Sequence, residues 1–156
     1  MNNRVCCFIG HREINETAQL KERLRKIVSK LITEKNMSDF LFGSKSRFND
    51  LCYEIVTELK SEYPHIKRIY IRAEYPVIDE SYADYLFRFY EESYYPEEQK
   101  GAGKAVYVER NRHMIDISDF CVFYYDRENL PATRKSGTLS ALDYARNRKK
   151  QIIMTL

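Results

Sequence analysis

Arg4-Val5-Cys6-Cys7-Phe8-Ile9-Gly10-His11-Arg12-Glu13 is the stretch that decides the fold. Its apolar part is short, lacks helical spacing and stops at a glycine, so it reads as a buried strand. Polar residues then lead into a long segment, 13–35, in which Leu20, Leu24, Ile27, Val28, Leu31 and Ile32 recur at helical spacing. A buried strand followed at once by an amphipathic helix is the opening of an alternating α/β chain.

The alternation continues outward from that start. Phe40-Leu41-Phe42 is a second short strand, stopped by Gly43-Ser44. Phe48, Leu51, Cys52, Ile55, Val56 and Leu59 define a second helix, broken at Tyr63-Pro64. Residues 66–71 form a third strand, and the Tyr- and Glu-rich stretch 72–96 reads as a loop with a helix over about 80–92. Lys100 to Lys104 is a link, 104–117 a helix, 120–125 a strong fourth strand and 126–136 a polar loop. A helix over 137–148 and a terminal strand over 151–156 complete the chain.

Strands alternating with helices predict a Rossmann-like, three-layer α/β/α sandwich around a mostly parallel five-stranded sheet. With strand order 3-2-1-4-5, ligands are expected at the carboxyl ends of the strands, in the crevice between the first and fourth. No repeat or domain-sized linker interrupts the 156 residues, so one nucleotide-ligand-binding domain, 1–156, is expected.

Composition narrows the class. Hydrophobic residues make up 44% and charged residues 31%, a globular balance. The net charge of +3 does not by itself imply nucleic acid. No apolar run approaches the roughly 18–20 residues that span a bilayer, so no membrane partner is expected. The apolar run before His11 is too short for a signal-peptide core, which predicts a cytoplasmic protein. Cys6, Cys7, Cys52 and Cys121 read as buried reduced thiols, because neighbours in a strand point to opposite faces. The histidines lack metal-ligand spacing, so neither a metal nor a cofactor is predicted beyond a nucleotide-derived ligand.

Three loops at strand-to-helix junctions carry anion-binding residue types. The first is Gly10-His11-Arg12: glycine admits close backbone approach, and Arg12 offers a planar fork to a phosphate. The second runs from Gly43 and Ser44 to Asn49, where small residues open a helix whose free N–H groups favour an anion. The third is Ser136-Gly137-Thr138, again at a helix start. Asn111 and Arg112, on the helix before the fourth strand, are placed to reach a ligand from the side, and Asp119 to cap the strand edge. Gly101-Ala102-Gly103-Lys104 lacks the spacing and hydroxyl of a P-loop and reads as a linker.

Taken in order along the chain, four segments resemble the SLOG superfamily. They are Cys7-Phe8-Ile9-Gly10-His11-Arg12, Phe42-Gly43-Ser44 with Asn49-Asp50, Arg110-Asn111-Arg112-His113-Met114 with Ser118-Asp119, and Ser136-Gly137-Thr138 with Tyr144-Ala145. This Rossmann-like group includes the cytokinin-activating LOG proteins and DprA-type proteins. The chain is most similar to its small bacterial YpsA-like branch. The resemblance implies a nucleotide or nucleotide-derived ligand and self-association as a homo-oligomer.

Two departures qualify that implication. Relatives in the branch carry a more glycine-rich second loop than Gly43-Ser44-Lys45-Ser46. LOG-type phosphoribohydrolases carry a G-T-x-x-E segment, and here Ala141 stands at the glutamate's place. That glutamate would stabilise or attack the sugar as its bond to the base breaks, and alanine can do neither. Glu13, Glu109 and Asp126 are the replacement carboxylates near the expected crevice.

The leading reading is therefore a sensor or binding module for a small nucleotide-like molecule. The alternatives are an enzyme acting on an N-glycosidic or phosphate bond, phosphoribohydrolase- or deoxyribosyltransferase-like, and a DprA-like protein associated with nucleic acid.

Overall fold

The computed structural model describes residues 4–100, 103–128 and 137–156. In chain order the elements are β1 (Arg4–Gly10), α1 (Ala18–Thr33), β2 (Met37–Phe42), α2 (Arg47–Lys60) and β3 (Lys67–Ile71). They continue with α3 (Glu80–Phe89), β4 (Glu92–Tyr94), α4 (Ala105–Ile117), β5 (Phe120–Tyr124), α5 (Gly137–Asn147) and β6 (Gln151–Met154). All neighbouring strands pair in parallel, in the order β4-β3-β2-β1-β5-β6. The sheet thus has six strands rather than the five expected. Without β4, the other five keep the expected 3-2-1-4-5 order.

The extra strand arises where the helical pattern of 80–92 was read too far. The helix stops at Phe89, and Tyr90 turns extended (φ −133°, ψ 145°). Its ring packs against Tyr53, Tyr70 and Phe42, a burial that helical geometry would forgo. The Glu91 N–H then donates to the Arg68 carbonyl, while the Glu91 carboxylate accepts the Arg68 N–H and its guanidinium. That double grip holds 92–94 alongside β3. The first helix likewise starts later than its apolar spacing suggests, at Ala18, where the Thr17 hydroxyl caps the Leu20 N–H.

β1 sits at the centre of the sheet and is buried on both faces, as parallel strands are. Cys6 and Phe8 face α1 and α2, where Phe8 stacks between Phe40 and Phe42 at centroid distances of 6.0 and 5.4 Å. Cys7 and Ile9 face α4 and α5, among Ile71, Met114, Ile115, Cys121 and Leu142. The four cysteines are free and buried. Asp119 ties β5 to β1 through its carboxylate, which accepts the Val5 N–H at 2.8 Å. This arrangement brings the carboxyl ends of β1, β2, β3 and β5, and the first turn of α2, to one edge.

Candidate functional site

Gly10 closes β1. A Cβ there would fall 2.4 Å from the Phe48 ring, so glycine lets the first turn of α2 settle on the strand end. Ser46 caps that helix by accepting the Asn49 N–H at 3.1 Å, and the Arg47 N–H donates to the Arg12 carbonyl at 2.8 Å. Two of the N–H groups expected to face an anion are therefore already bonded within the protein. Asn49, 2% exposed, donates to the Phe8 carbonyl and accepts the Gly43 N–H. It fixes the ends of β1 and β2 to each other.

Gly43 has a different neighbour. A Cβ there would lie 2.7 Å from Cδ of Arg110 and 2.8 Å from the Ile71 carbonyl. Arg110 reaches down from α4 into that space, donates from Nη1 to the Gly43 carbonyl and from Nε to Asn111 Oδ1. Its guanidinium lies 5.9 Å from the Tyr107 ring centroid. Arg110 is only 5% exposed, yet ion-pairs with no carboxylate among the described residues. Burial pushes its pKa down, against the opposing pull of Tyr70, Tyr107 and Glu74 nearby. The arginine still remains a cation, because a guanidinium does not give up its proton in proteins.

The turn after β1 meets the residues ending and following β5 at His11. Its Nε2 accepts the Asp126 N–H at 2.8 Å, and its ring contacts Tyr124 edge-on and Tyr125 at a tilt. Burial pushes the His11 pKa down, with the Asp126 carboxylate opposing. A ring that accepts at Nε2 must carry its proton on Nδ1.

The remaining expected residues are dispersed along the same edge. Arg12 and Glu13 are exposed and Ser44 is half-buried. Glu109 accepts the Lys100 N–H, and Asp126 accepts the Glu128 N–H. Gly137 opens α5, where an added Cβ would meet nothing within 4 Å among the described residues, Thr138 is buried, and Ser136 lies outside the described residues. Ala141 packs with Leu142 and Ala145 against the sheet. Asn111 is spent on Arg110, while exposed Arg112 turns to α5, with its guanidinium 4.9 Å from the Tyr144 centroid.

Arg110 is the buried cation of that helix. It shares the inward face with Val106 and Met114, four residues before and after. Residues two apart on a helix do not face the same way, so Arg110 and Arg112 diverge. A cation in phase with buried apolar residues was the available signal.

Among the described residues, no group of three His, Cys, Asp or Glu is gathered to hold a metal. None of the helices in the described residues is long and apolar enough to cross a membrane.

The YpsA family model, described as the YspA SLOG family, matches residues 7–155. The chain belongs to this SLOG family. It is 28% identical over 145 residues to YoqJ, an uncharacterized SPbeta prophage-derived protein of Bacillus subtilis (strain 168), covering 82% of this chain and 81% of YoqJ. Two solved structures share the SLOG chain's fold. One is DNA processing protein A from Helicobacter pylori, described for its single-stranded DNA binding mode. It superposes with a TM-score of 0.60 at 18% identity over 97% of this chain. The chain spans 64% of that protein's length. The other is the molybdenum cofactor binding protein from Rippkaea orientalis, with a TM-score of 0.58 at 15% identity, covering 99% of this chain and 77% of that one.

Proposed function

We propose that this SLOG protein binds a nucleotide or nucleotide-derived ligand at the carboxyl edge of its sheet, with Arg110 as the anion receptor. The carrying observation is the buried Arg110 cation, which ion-pairs with no carboxylate among the described residues and is aimed at Gly43. A buried unpaired charge is costly, and an anionic ligand would offset that cost. The solved neighbours, one described for single-stranded DNA binding and one a molybdenum cofactor binding protein, lend general support to ligand binding by this fold.

In this reading Gly10, Gly43 and Asn49 shape the edge, and Arg110 holds the phosphate. Arg12, Ser44, Gly137 and Thr138 border the same edge, and His11 closes its β1–β5 end. Binding without turnover is favoured, because Ala141 offers no carboxylate and Glu109 is turned to Lys100. Nucleic acid has less support: residues 74–98 hold eight Asp and Glu against one Arg, a charge that repels a phosphate backbone. Homo-oligomer formation is part of the proposal, and sedimentation equilibrium tests it.

Titration calorimetry against AMP, GMP, ADP-ribose and NAD tests the reading. Saturable binding by wild-type protein, lost in Arg110→Met, supports it. Absence of binding by every member of the panel overturns it.

A further inference from the structure

One turn of α4 before Arg110, a cleft of about 350 Å³ opens between the start of that helix and the segment after β3. That volume lies near the low end of small-ligand sites. Its walls include two aromatic residues, Tyr95 and Tyr107, together with the acidic Glu74 and the basic Lys104. The Tyr107 hydroxyl donates to Glu74 Oε1, which fixes the carboxylate at the wall. Tyr107 also contacts the Arg110 guanidinium. The cleft and the buried cation thus share one side chain, and residues three apart on a helix lie on one face.

Resting on the ligand reading above, we propose that this cleft selects a guanine base, with Glu74 as the specificity-determining residue and the nucleotide's phosphate on Arg110. An ionised carboxylate only accepts hydrogen bonds. Guanine presents two adjacent donors, N1–H and the 2-amino group, on the edge that also carries the O6 acceptor. Glu74 takes the donors and Lys104 serves O6. Adenine offers the carboxylate a single amino donor beside an acceptor nitrogen that faces it unfavourably. The tyrosine faces stack on the ring without distinguishing the bases. Tyr107 lines the cleft and has the guanidinium 5.9 Å from its ring centroid, so the ribose spans from the base to a neighbouring cation.

Calorimetry on the full chain with GMP, IMP and AMP tests this, because IMP lacks only the 2-amino donor. The expected order is GMP tightest, IMP intermediate and AMP weaker than GMP by at least about tenfold. Glu74→Gln should remove the advantage of GMP over AMP. The inference is overturned if AMP binds as tightly as GMP, or if wild-type protein fails to separate GMP from IMP. Either of those results, with binding still dependent on Arg110, leaves the nucleotide reading standing. Failure of all three nucleotides to bind overturns both.

Discussion

Arg110 and Gly43, 67 residues apart in the chain, are joined by a hydrogen bond from the guanidinium Nη1 to the Gly43 carbonyl. The arginine's aliphatic stem occupies the space that a side chain at 43 would fill. The glycine at the end of β2 thus serves the protein's own cation first. What approaches Gly43 is a side chain from α4.

Gly43→Ala forces a methyl group against Arg110 Cδ and the Ile71 carbonyl. Backbone cannot yield as a flexible side chain can, so overpacking here should cost about 1–3 kcal/mol. Urea unfolding should show a lower midpoint with an unchanged slope. The displaced Arg110 should also weaken nucleotide binding. A variant as stable as wild type would show that the edge has room the geometry denies.

Asn49→Leu removes both bonds that tie β1 to β2. It strands the Phe8 carbonyl and the Gly43 N–H in a buried setting. Each unsatisfied group costs about 1–3 kcal/mol, so a loss of about 2–4 kcal/mol is expected. Denaturant unfolding measures it. A loss below about 1 kcal/mol would mean that water satisfies both groups.

His11 makes stability depend on pH. Burial lowers its folded pKa below the unfolded value near 6.5, so the unfolded chain takes up the proton first. The stabilisation is therefore complete above about pH 6.5 and is lost as pH falls through the folded pKa. Protonation would also abolish the acceptor that receives the Asp126 N–H. His11→Asn should flatten this part of the stability profile, read as melting temperature against pH between about 7 and 5. An unchanged slope would place the titration on another group.

Much of this architecture was legible because its signals are local. The apolar run of β1 ending at Gly10 and the spacing of Leu20 to Ile32 each report one element without help from the rest. β4 escaped because three residues have no periodicity, and what extends them is distant: Arg68 gripping Glu91 and Tyr53 packing on Tyr90. Gly10 and Gly43 do end β1 and β2 at the carboxyl edge, but for a reason other than close approach of a ligand. Gly10 and Gly43 make room for Phe48 and Arg110, a fact held by α2 and α4 and invisible in either loop. Arg112 drew notice through its charge, while Arg110 beside it carries the burial that gives a charge its effect.

The central claim is that Arg110 is held for an anion. The most direct measurement is the thermal shift of wild-type and Arg110→Met proteins, each with and without saturating nucleotide. Removing a buried cation with no ion-pair partner among the described residues offsets the lost bond to Gly43, so the free variant should be within about 1 kcal/mol of wild type or more stable. At 100 times its dissociation constant a nucleotide should stabilise the wild type by about 2.7 kcal/mol. The account predicts that Arg110→Met loses this ligand-dependent gain while keeping its fold. Equal gains in both proteins, or a free variant that is itself several kcal/mol weaker, would contradict it and make Arg110 a structural strut.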